Sequence, residues 1–289
     1  MENLLRPIYQ ERASHPGTLG VLVIEKTKPF HPLTDNFDVV LLIIVQDNEK
    51  PWFVKHYDFE GKKAAMHVVS EEQVNEWLIS GSHRRLVAWL VNGKIIFDRN
   101  EYIAGVKERI RDFPYEERTR KIGVEFARLI RRYTEGKELF ASRQYMDAYN
   151  FILHALHHLA RLSVIEHGFH PEITVWNQVK QIEPEIFKLY TELLSGEDPL
   201  DKRLELLLLA NDFSLSSKSK NATVHIRKVM NERSNAWTYQ ELMEEEQLKE
   251  YGIDLGALLE YMIEKGLVEV HRSETKGSGI FIREYSAIE

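Results

Sequence analysis

The chain contains no cysteine, and this absence removes several kinds of site. Without thiols there is no disulfide framework, no thiolate zinc site and no cysteine nucleophile. Long apolar runs are also missing, since none approaches the ~20 residues that span a bilayer. The amino-terminal residues lack the charged and apolar regions of a signal peptide. We therefore expect a cytoplasmic protein.

Acidic residues outnumber basic ones, and the net charge is −7 over 289 residues. This balance argues against a general polyanion-binding protein. The hydrophobic fraction of 43% is enough to bury sizeable cores. A chain of this length and composition is expected to form two or three domains.

The first part of the chain, residues 1–112, is rich in predicted strands and has one clear helix. The helix runs from Ser70 to about Gly81, and Ser70 with Gln73 fits a capping box. Strands combined with helices predict a mixed α/β layer. The predicted strands are Gly20–Lys26, Asp38–Gln46, Pro51–Tyr57, Ala64–Val69 and Lys94–Asp98.

The rest of the chain has two further patterns. Helical periodicity over residues 113–214 predicts a helical bundle, with one helix broken at Glu183-Pro184. The pattern of residues 215–289 predicts three helices followed by two strands, which is the order of a winged helix-turn-helix domain. The serine- and lysine-rich stretch Ser214–Ser219 is interpreted as a linker. The predicted fold class is therefore α+β, in three domains.

The most informative segment runs from Thr34 to Val45, where polar residues precede seven unbroken apolar ones. Such a run predicts a strand buried on both faces. Alternation along a strand would place Asn36 and Asp38 on one face at its mouth, with Asp35 on the other. The alternative interpretation is an ordinary turn, because Asp and Asn are common turn formers.

Several segments together resemble the bacterial nucleotidyltransferase-like proteins of the YgxA type. They are the strand Asp38–Val45, the stretch Gly93–Arg99, the helices around Ala155–Arg161 and Trp176, and the terminal winged helix. The resemblance covers nearly the whole chain. It implies a nucleotidyltransferase fold, a helical domain similar to the substrate-binding domains of antibiotic nucleotidyltransferases, and a winged helix.

The resemblance also implies a site for Mg²⁺ with a nucleoside triphosphate. Asp38 would be the principal metal ligand, assisted by Asn36 and Asp35, and Asp38 and Asn36 would be the catalytic pair. By their charge, Lys26 and Lys28 would meet phosphates electrostatically, and the alternative is that they are solvated lysines at a loop edge, which is the commoner case. The sequence departs from the family's catalytic pattern, since no Gly-Ser precedes the strand, Asn36 replaces an aspartate, and His67 stands where a third carboxylate is expected.

These departures predict a nucleotide-binding protein with a degenerate metal site and weak or absent transfer. The alternative is a non-catalytic scaffold or regulator that acts through its winged helix. That domain carries ten Lys or Arg against thirteen Asp or Glu from Ser214 onward, and its third helix, Asp254–Lys265, is acidic. DNA binding is therefore not expected, and a protein partner is favoured.

The helical part offers two further candidates. His154 and His158 have the four-residue spacing of a helical metal pair, although hydrogen-bonded histidines are the commoner arrangement. Arg161 and His167 are similar to the Arg-x(4–6)-His pattern of HEPN-type ribonucleases. The alternative for Arg161 is an ion pair, for example with Glu166.

Overall fold

The computed structural model describes residues 2–26, 32–59, 61–83, 85–275, 277 and 279–288, with side chains from Arg6 onward. The fold class is α+β, as predicted from the sequence. The chain contacts fall into two compact units, Met1–Pro114 and Tyr115–Glu289. The three domain boundaries expected from the sequence stay a prediction. Within the described ranges, no helix has the length and apolar character needed to cross a membrane.

The first unit is built on a five-stranded mixed sheet in the order β3-β4-β2-β1-β5. Strands β2 and β4 pair in parallel, and the other neighbours pair antiparallel. The elements are α1 Glu2–Ser14, β1 Thr18–Glu25, β2 Val39–Val45, β3 Trp52–Phe59, β4 Lys62–Ser70, α2 Glu71–Ser80, α3 Leu86–Asn92, β5 Lys94–Asp98, a 3₁₀ turn Arg99–Glu101 and α4 Tyr102–Asp112.

Strand β2 is the centre of this sheet, and all seven of its side chains are buried, which confirms the sequence prediction. Alternate residues enter two separate cores. Val40, Leu42 and Ile44 pack with residues of α2, α3 and α4. Leu41 and Ile43 pack in the opposite core, which includes Tyr9 of α1. Because both faces are covered, the strand has no polar side chain of its own.

Helix α2 begins after the predicted N-cap Ser70 and ends at the predicted Gly81, although the Gln73 side chain donates to Glu76 and does not complete the predicted capping box. The Ser70 hydroxyl accepts a hydrogen bond from the Gln73 backbone N–H at 3.2 Å. Gly81 ends the helix in the left-handed conformation at φ 64°, where a residue without Cβ is favoured. The helix follows β4 directly, so its position is tied to that strand.

The second unit contains a helical bundle and a three-stranded sheet in the order β6-β8-β7. The predicted break at Glu183-Pro184 is confirmed, because Pro184 starts a new helix at a position that needs no N–H donor. The elements are α5 Tyr115–Ala141, α6 Tyr145–Glu166, α7 Val175–Ile182, α8 Pro184–Ser195, α9 Leu200–Ala222, α10 Val224–Met230, β6 Trp237–Thr238, α11 Tyr239–Glu244, a 3₁₀ segment Glu246–Asp254, α12 Leu255–Glu264, β7 Val268–Glu274 and β8 Phe281–Ala287.

The interpretation of Ser214–Ser219 as a linker is wrong, because helix α9 continues through it to Ala222. Serine hydroxyls there bond back to carbonyls of the same helix. Ser214 donates to the Ala210 carbonyl at 3.1 Å, and Ser219 donates to the Ser216 carbonyl at 2.9 Å. These bonds satisfy the hydroxyls without ending the helix. Leu215, within the same stretch, is buried.

The winged-helix segment packs on helix α5 within the second unit. Arg120 of α5 forms an ion pair with Glu250, and Arg131 of α5 bonds Asp254 at 3.1 Å. Gly123 of α5 faces the hydroxyl of Tyr251, which lies 3.0 Å from His225 Nδ1. The absence of a side chain at this position lets the two elements approach closely.

We predict that Gly123→Ala destabilises the protein by about 1–3 kcal/mol. An added Cβ would lie 2.1 Å from the Tyr251 hydroxyl, so the buried tyrosine and its bond to His225 have to shift. Chemical denaturation would measure the free energy of unfolding.

Gly105→Ala is the matched control, because no atom of the described residues lies within 4 Å of its Cβ position in helix α4. There the gain in helix propensity should stabilise by about 0.5–1 kcal/mol. Equal effects of the two substitutions would contradict the close approach at Gly123.

Candidate functional site

The polar segment before β2 is a turn, as the alternative interpretation of the sequence held. The backbone N–H of Phe37 donates to the Thr34 carbonyl at 2.9 Å, and β2 begins only at Val39. Asp35 has a left-handed backbone at φ 50°, which aspartate tolerates better than most residues. The strand-like alternation expected for Asn36 and Asp38 is therefore not present.

Asp38 closes the sheet at the start of β2. Its carboxylate Oδ2 accepts the backbone N–H of Lys63 at 2.9 Å, and its own N–H donates to the Lys63 carbonyl at 2.8 Å. On the other side, the Lys26 N–H donates to the Asp38 carbonyl at 2.9 Å. The residue thus joins β2 to the ends of both neighbouring strands.

Asp35 is bound by an arginine from beyond the sheet. Arg85 forms a bidentate ion pair with its carboxylate, with Nη1 to Oδ2 at 2.6 Å. The same guanidinium donates from Nε to the Pro32 carbonyl at 2.8 Å. Trp89 Nε1 donates to the Leu33 carbonyl at 2.7 Å. These bonds hold the turn onto α3 and the residue before it.

The remaining predicted site residues are Asn36, Lys26 and Lys28. Asn36 is exposed, and Lys26 is half-buried just after β1. Lys28 lies outside the described residues. Throughout the described ranges no group of three or more histidine, aspartate or glutamate side chains is arranged to hold a metal ion. The donors near β2 do not fit a two-metal site, because Asn36 carries no charge and the two carboxylates serve Lys63 and Arg85.

Five aromatic side chains on the helical face of the sheet form a second feature, which we call the histidine–tryptophan cluster: Trp52, His67, Trp77, His83 and Trp89. The Trp52 and His67 rings are parallel within 13° at 6.1 Å, and Trp52 Nε1 donates to His67 Nδ1 at 3.3 Å. His83 stacks on Trp77 at 4.3 Å and contacts Trp89 at 4.9 Å.

The histidines of this cluster are held neutral. Burial, then the nearby His83, His56 and Arg85, lower the pKa of His67 to about 4. Burial and Arg85 lower the pKa of His83 as well. The buried Nδ1 of His83 has no hydrogen-bond partner among the described residues. A neutral imidazole can donate at one ring nitrogen and accept at the other.

Sequence reasoning singled out His67, where a third carboxylate is expected, but missed Trp52, His83 and Arg85. One signal was available for Trp52. In the β3–β4 pairing Val54 lies opposite His67, and Trp52, two residues away, shares that face. His83 and Arg85 lie in and beside the connection between α2 and α3, where no periodicity predicts the direction of a side chain.

The candidate site residues of the helical part contact different partners. Arg161 pairs with Glu125, not with Glu166, which is bound by Lys218. His167 Nδ1 lies 2.9 Å from the Ser163 carbonyl and 3.6 Å from Glu183. His158 contacts Glu125, whereas His154 is exposed. Neither the ribonuclease pattern nor the histidine pair is assembled by these contacts.

Comparison with known proteins gives a consistent assignment along the chain. Residues 1–118 match the Nucleotidyltransferase-like family, residues 119–218 the YgxA-like substrate binding domain, and residues 224–287 a helix-turn-helix domain. The YgxA protein of Bacillus subtilis is 52% identical over 286 residues, which are 99% of this chain and 97% of that protein. The chain belongs to the YgxA family of nucleotidyltransferase-like proteins.

A solved structure supports this YgxA-family assignment. The crystal structure of a nucleotidyltransferase-like protein from Exiguobacterium sibiricum matches with a TM-score of 0.85 and 42% identity, over the whole of both chains. The resemblance stated from the sequence is thus confirmed for the nucleotidyltransferase-like fold and the helix-turn-helix domain.

We predict that His67 makes the stability of the protein fall in mild acid. Its folded pKa of about 4 lies below the ordinary value of 6.5, so between these values only the unfolded chain takes up a proton at this site. The free energy of unfolding should therefore decrease as the pH falls from 6.5 toward 4. His67→Gln should lose less stability than wild type between about pH 7 and about pH 5, measured by chemical denaturation.

His271→Gln serves as the control, because His271 is an exposed histidine on strand β7 and is not one of the groups that lower the pKa of His67. An acid-induced loss in His67→Gln as large as in wild type would show that His67 is not responsible.

Proposed function

We propose that this YgxA-family protein binds a nucleotide on its nucleotidyltransferase-like unit and transfers it weakly or not at all. The observation that carries the proposal is the engagement of Asp35 and Asp38 in structural bonds. Transfer by a two-metal mechanism needs carboxylates that offset the charge of Mg²⁺ and activate the attacking hydroxyl. Asp38 instead accepts the Lys63 N–H, and Asp35 neutralises Arg85.

The binding half of the proposal rests on the histidine–tryptophan cluster. Trp52 is 44% exposed, so part of its ring is available to stack on a planar base. Stacking on an aromatic side chain contributes about 1–3 kcal/mol per base and tolerates different bases. The neutral His83, whose buried Nδ1 has no hydrogen-bond partner in the described part of the chain, lies beside these rings.

Nucleotide binding is the first measurement, made by calorimetry with the four ribonucleoside triphosphates in Mg²⁺ and in EDTA. We expect binding to survive EDTA, because the carboxylates of the residues that the structure describes do not form a set for a metal. Trp52→Ala should weaken binding by about 10-fold, since it removes the stacking surface. A nucleotide labelled at its α-phosphate should not pass its label to protein or to an added acceptor.

Phe59→Ala is the matched control for this experiment. Phe59 lies on the same strand β3 and is 43% exposed, but it belongs to no part of the cluster. Binding that requires Mg²⁺ together with label transfer would overturn the degenerate-site proposal. Binding unchanged by Trp52→Ala would place the nucleotide elsewhere, and no binding at all would favour the second candidate function.

The second candidate is a regulator that acts through the winged helix on a protein partner. Helix α12 is turned partly toward the bundle, since Tyr261 packs on Phe126 at 5.7 Å. Its exposed positions include Glu260 and Glu264, and Glu260 pairs with Arg283 of strand β8 at 2.8 Å. An acidic face of this kind repels DNA phosphates.

We predict no measurable binding of a random DNA duplex at protein concentrations up to about 10 µM, judged by fluorescence anisotropy at low salt. The double substitution Glu260→Lys with Glu264→Lys should create salt-sensitive binding, because it reverses the charge of the exposed face. Tight, sequence-dependent binding by the wild-type chain would contradict the protein-partner assignment.

A further inference from the structure

An ion pair lies at the edge of the histidine–tryptophan cluster. Arg85 Nη1 is 2.6 Å from Asp35 Oδ2, and the second terminal nitrogen of the guanidinium bonds the other carboxylate oxygen. This two-pronged contact removes Asp35 from any metal site. It also has a chemical likeness to ligand binding, because arginine binds carboxylate and phosphate groups through the same pair of parallel N–H donors.

Arg85 lies beside the rings that contact Trp52. His83, two residues before Arg85, meets the Trp52 ring edge to face at 6.1 Å, and His67 lies parallel to that ring at 6.1 Å. Burial lowers the pKa of both histidines, and the charge of Arg85 lowers both further. The guanidinium is therefore close to the same two rings. Since one ribose separates a base from its 5′-phosphate, a base stacked on Trp52 can bring its phosphate to Arg85.

The ion pair is partly open to solvent. The Arg85 side chain is 35% exposed and the Asp35 side chain is 51% exposed. A pair with this exposure stabilises a fold little, because water solvates both charges. A phosphate monoester carries more negative charge than a carboxylate and has three acceptor oxygens. A phosphate can therefore replace the carboxylate on Arg85 at a small cost in stability.

The turn that carries Asp35 has anchors besides the ion pair. Arg85 Nε donates to the Pro32 carbonyl at 2.8 Å, and Trp89 Nε1 donates to the Leu33 carbonyl at 2.7 Å. Neither bond uses the Asp35 carboxylate. The turn can thus stay attached to α3 and to the residue before it while the carboxylate moves away.

We propose that Arg85 binds a phosphate group of the nucleotide, and that the Asp35 carboxylate holds the position this phosphate would take. The proposal rests on the nucleotide site proposed above, and it identifies the ligand of that site as a phosphorylated nucleoside. Asp35 is then an internal competitor that limits the affinity. Asp38 stays bonded to Lys63, so the displaced Asp35 does not complete a two-metal site.

The test is calorimetry on the full chain in EDTA. Each of the four ribonucleosides is compared with its 5′-monophosphate and its 5′-triphosphate. The phosphorylated forms should bind at least about 10-fold more tightly than the nucleosides, because they gain the charged contact with Arg85. This ratio of affinities is the phosphate preference of the site.

Arg85→Gln should abolish most of the phosphate preference. The affinity for the phosphorylated forms should fall by about 10-fold, and the affinity for nucleosides should stay within about 2-fold of wild type. A purely structural role of Arg85 predicts instead that both classes of ligand weaken together. If Arg85→Gln fails to fold, Arg85→Lys retains the charge without the paired donors and should show a smaller loss of the preference.

Asp35→Asn should act in the opposite direction. Removing the competing charge should strengthen the binding of the phosphorylated forms by about 3- to 10-fold and leave nucleosides unchanged. The backbone of Asp35 has φ 50°, and asparagine adopts this conformation as readily as aspartate, so the turn is retained.

The matched controls come from an ion pair elsewhere in the first unit. Arg111 and Glu108 of helix α4 are 3.8 Å apart, with side chains 72% and 69% exposed. Arg111→Gln and Glu108→Gln change the net charge by the same amounts as the two test substitutions. Neither control should alter the affinity for nucleosides or for the phosphorylated forms.

The outcomes separate this proposal from the nucleotide site on which it rests. A phosphate preference that disappears in Arg85→Gln and grows in Asp35→Asn supports it. Equal affinity for nucleosides and phosphorylated forms overturns it, and so does a preference that neither substitution changes. In both cases the base-stacking site still stands if Trp52→Ala weakens binding. No binding of any of these ligands overturns both proposals.

Discussion

The burial of β2 on both faces is the constraint on which the first unit depends. The neighbouring strands β1 and β4 form hydrogen bonds with its backbone, and two cores cover its side chains. Polar groups can therefore appear only at its ends. Asp38 lies at that point and joins β2 to Lys63 and Lys26. A carboxylate at the mouth of a central strand can hold a metal or close the sheet, and here it closes the sheet.

The same constraint shapes the face above the sheet. The turn before β2 has to be fixed in place, and Arg85 and Trp89 fix it by bonding Asp35 and two carbonyls. These two residues also lie against the histidines, where Arg85 helps to keep His67 neutral. Stacked aromatic rings and neutral imidazoles therefore lie on this face of the sheet, beside the ion pair of Asp35 with Arg85.

In the second unit, charged residues of different elements pair with one another. Helix α5 uses Arg120 and Arg131 to bind the winged-helix segment, and it turns Glu125 inward to gather cations of both α5 and α6. Part of the surface of α12 packs against α5, where Tyr261 contacts Phe126. The helix-turn-helix domain thus packs against a helix of its own chain, and the exposed residues of α12 are Glu260 and Glu264.

Much of the architecture was determined by the sequence itself, because neighbouring residues encode it. Seven apolar residues specified the buried strand β2, Ser70 and Gly81 bounded α2, and Pro184 separated two helices. Tertiary structure decided the partners of the charged residues. Asp38 bonds a residue 25 positions away and Asp35 one 50 positions away, distances at which no local periodicity operates. Tertiary structure also decided that Ser214–Ser219 is helical, since weak helix formers become helical when buried neighbours such as Leu215 stabilise them.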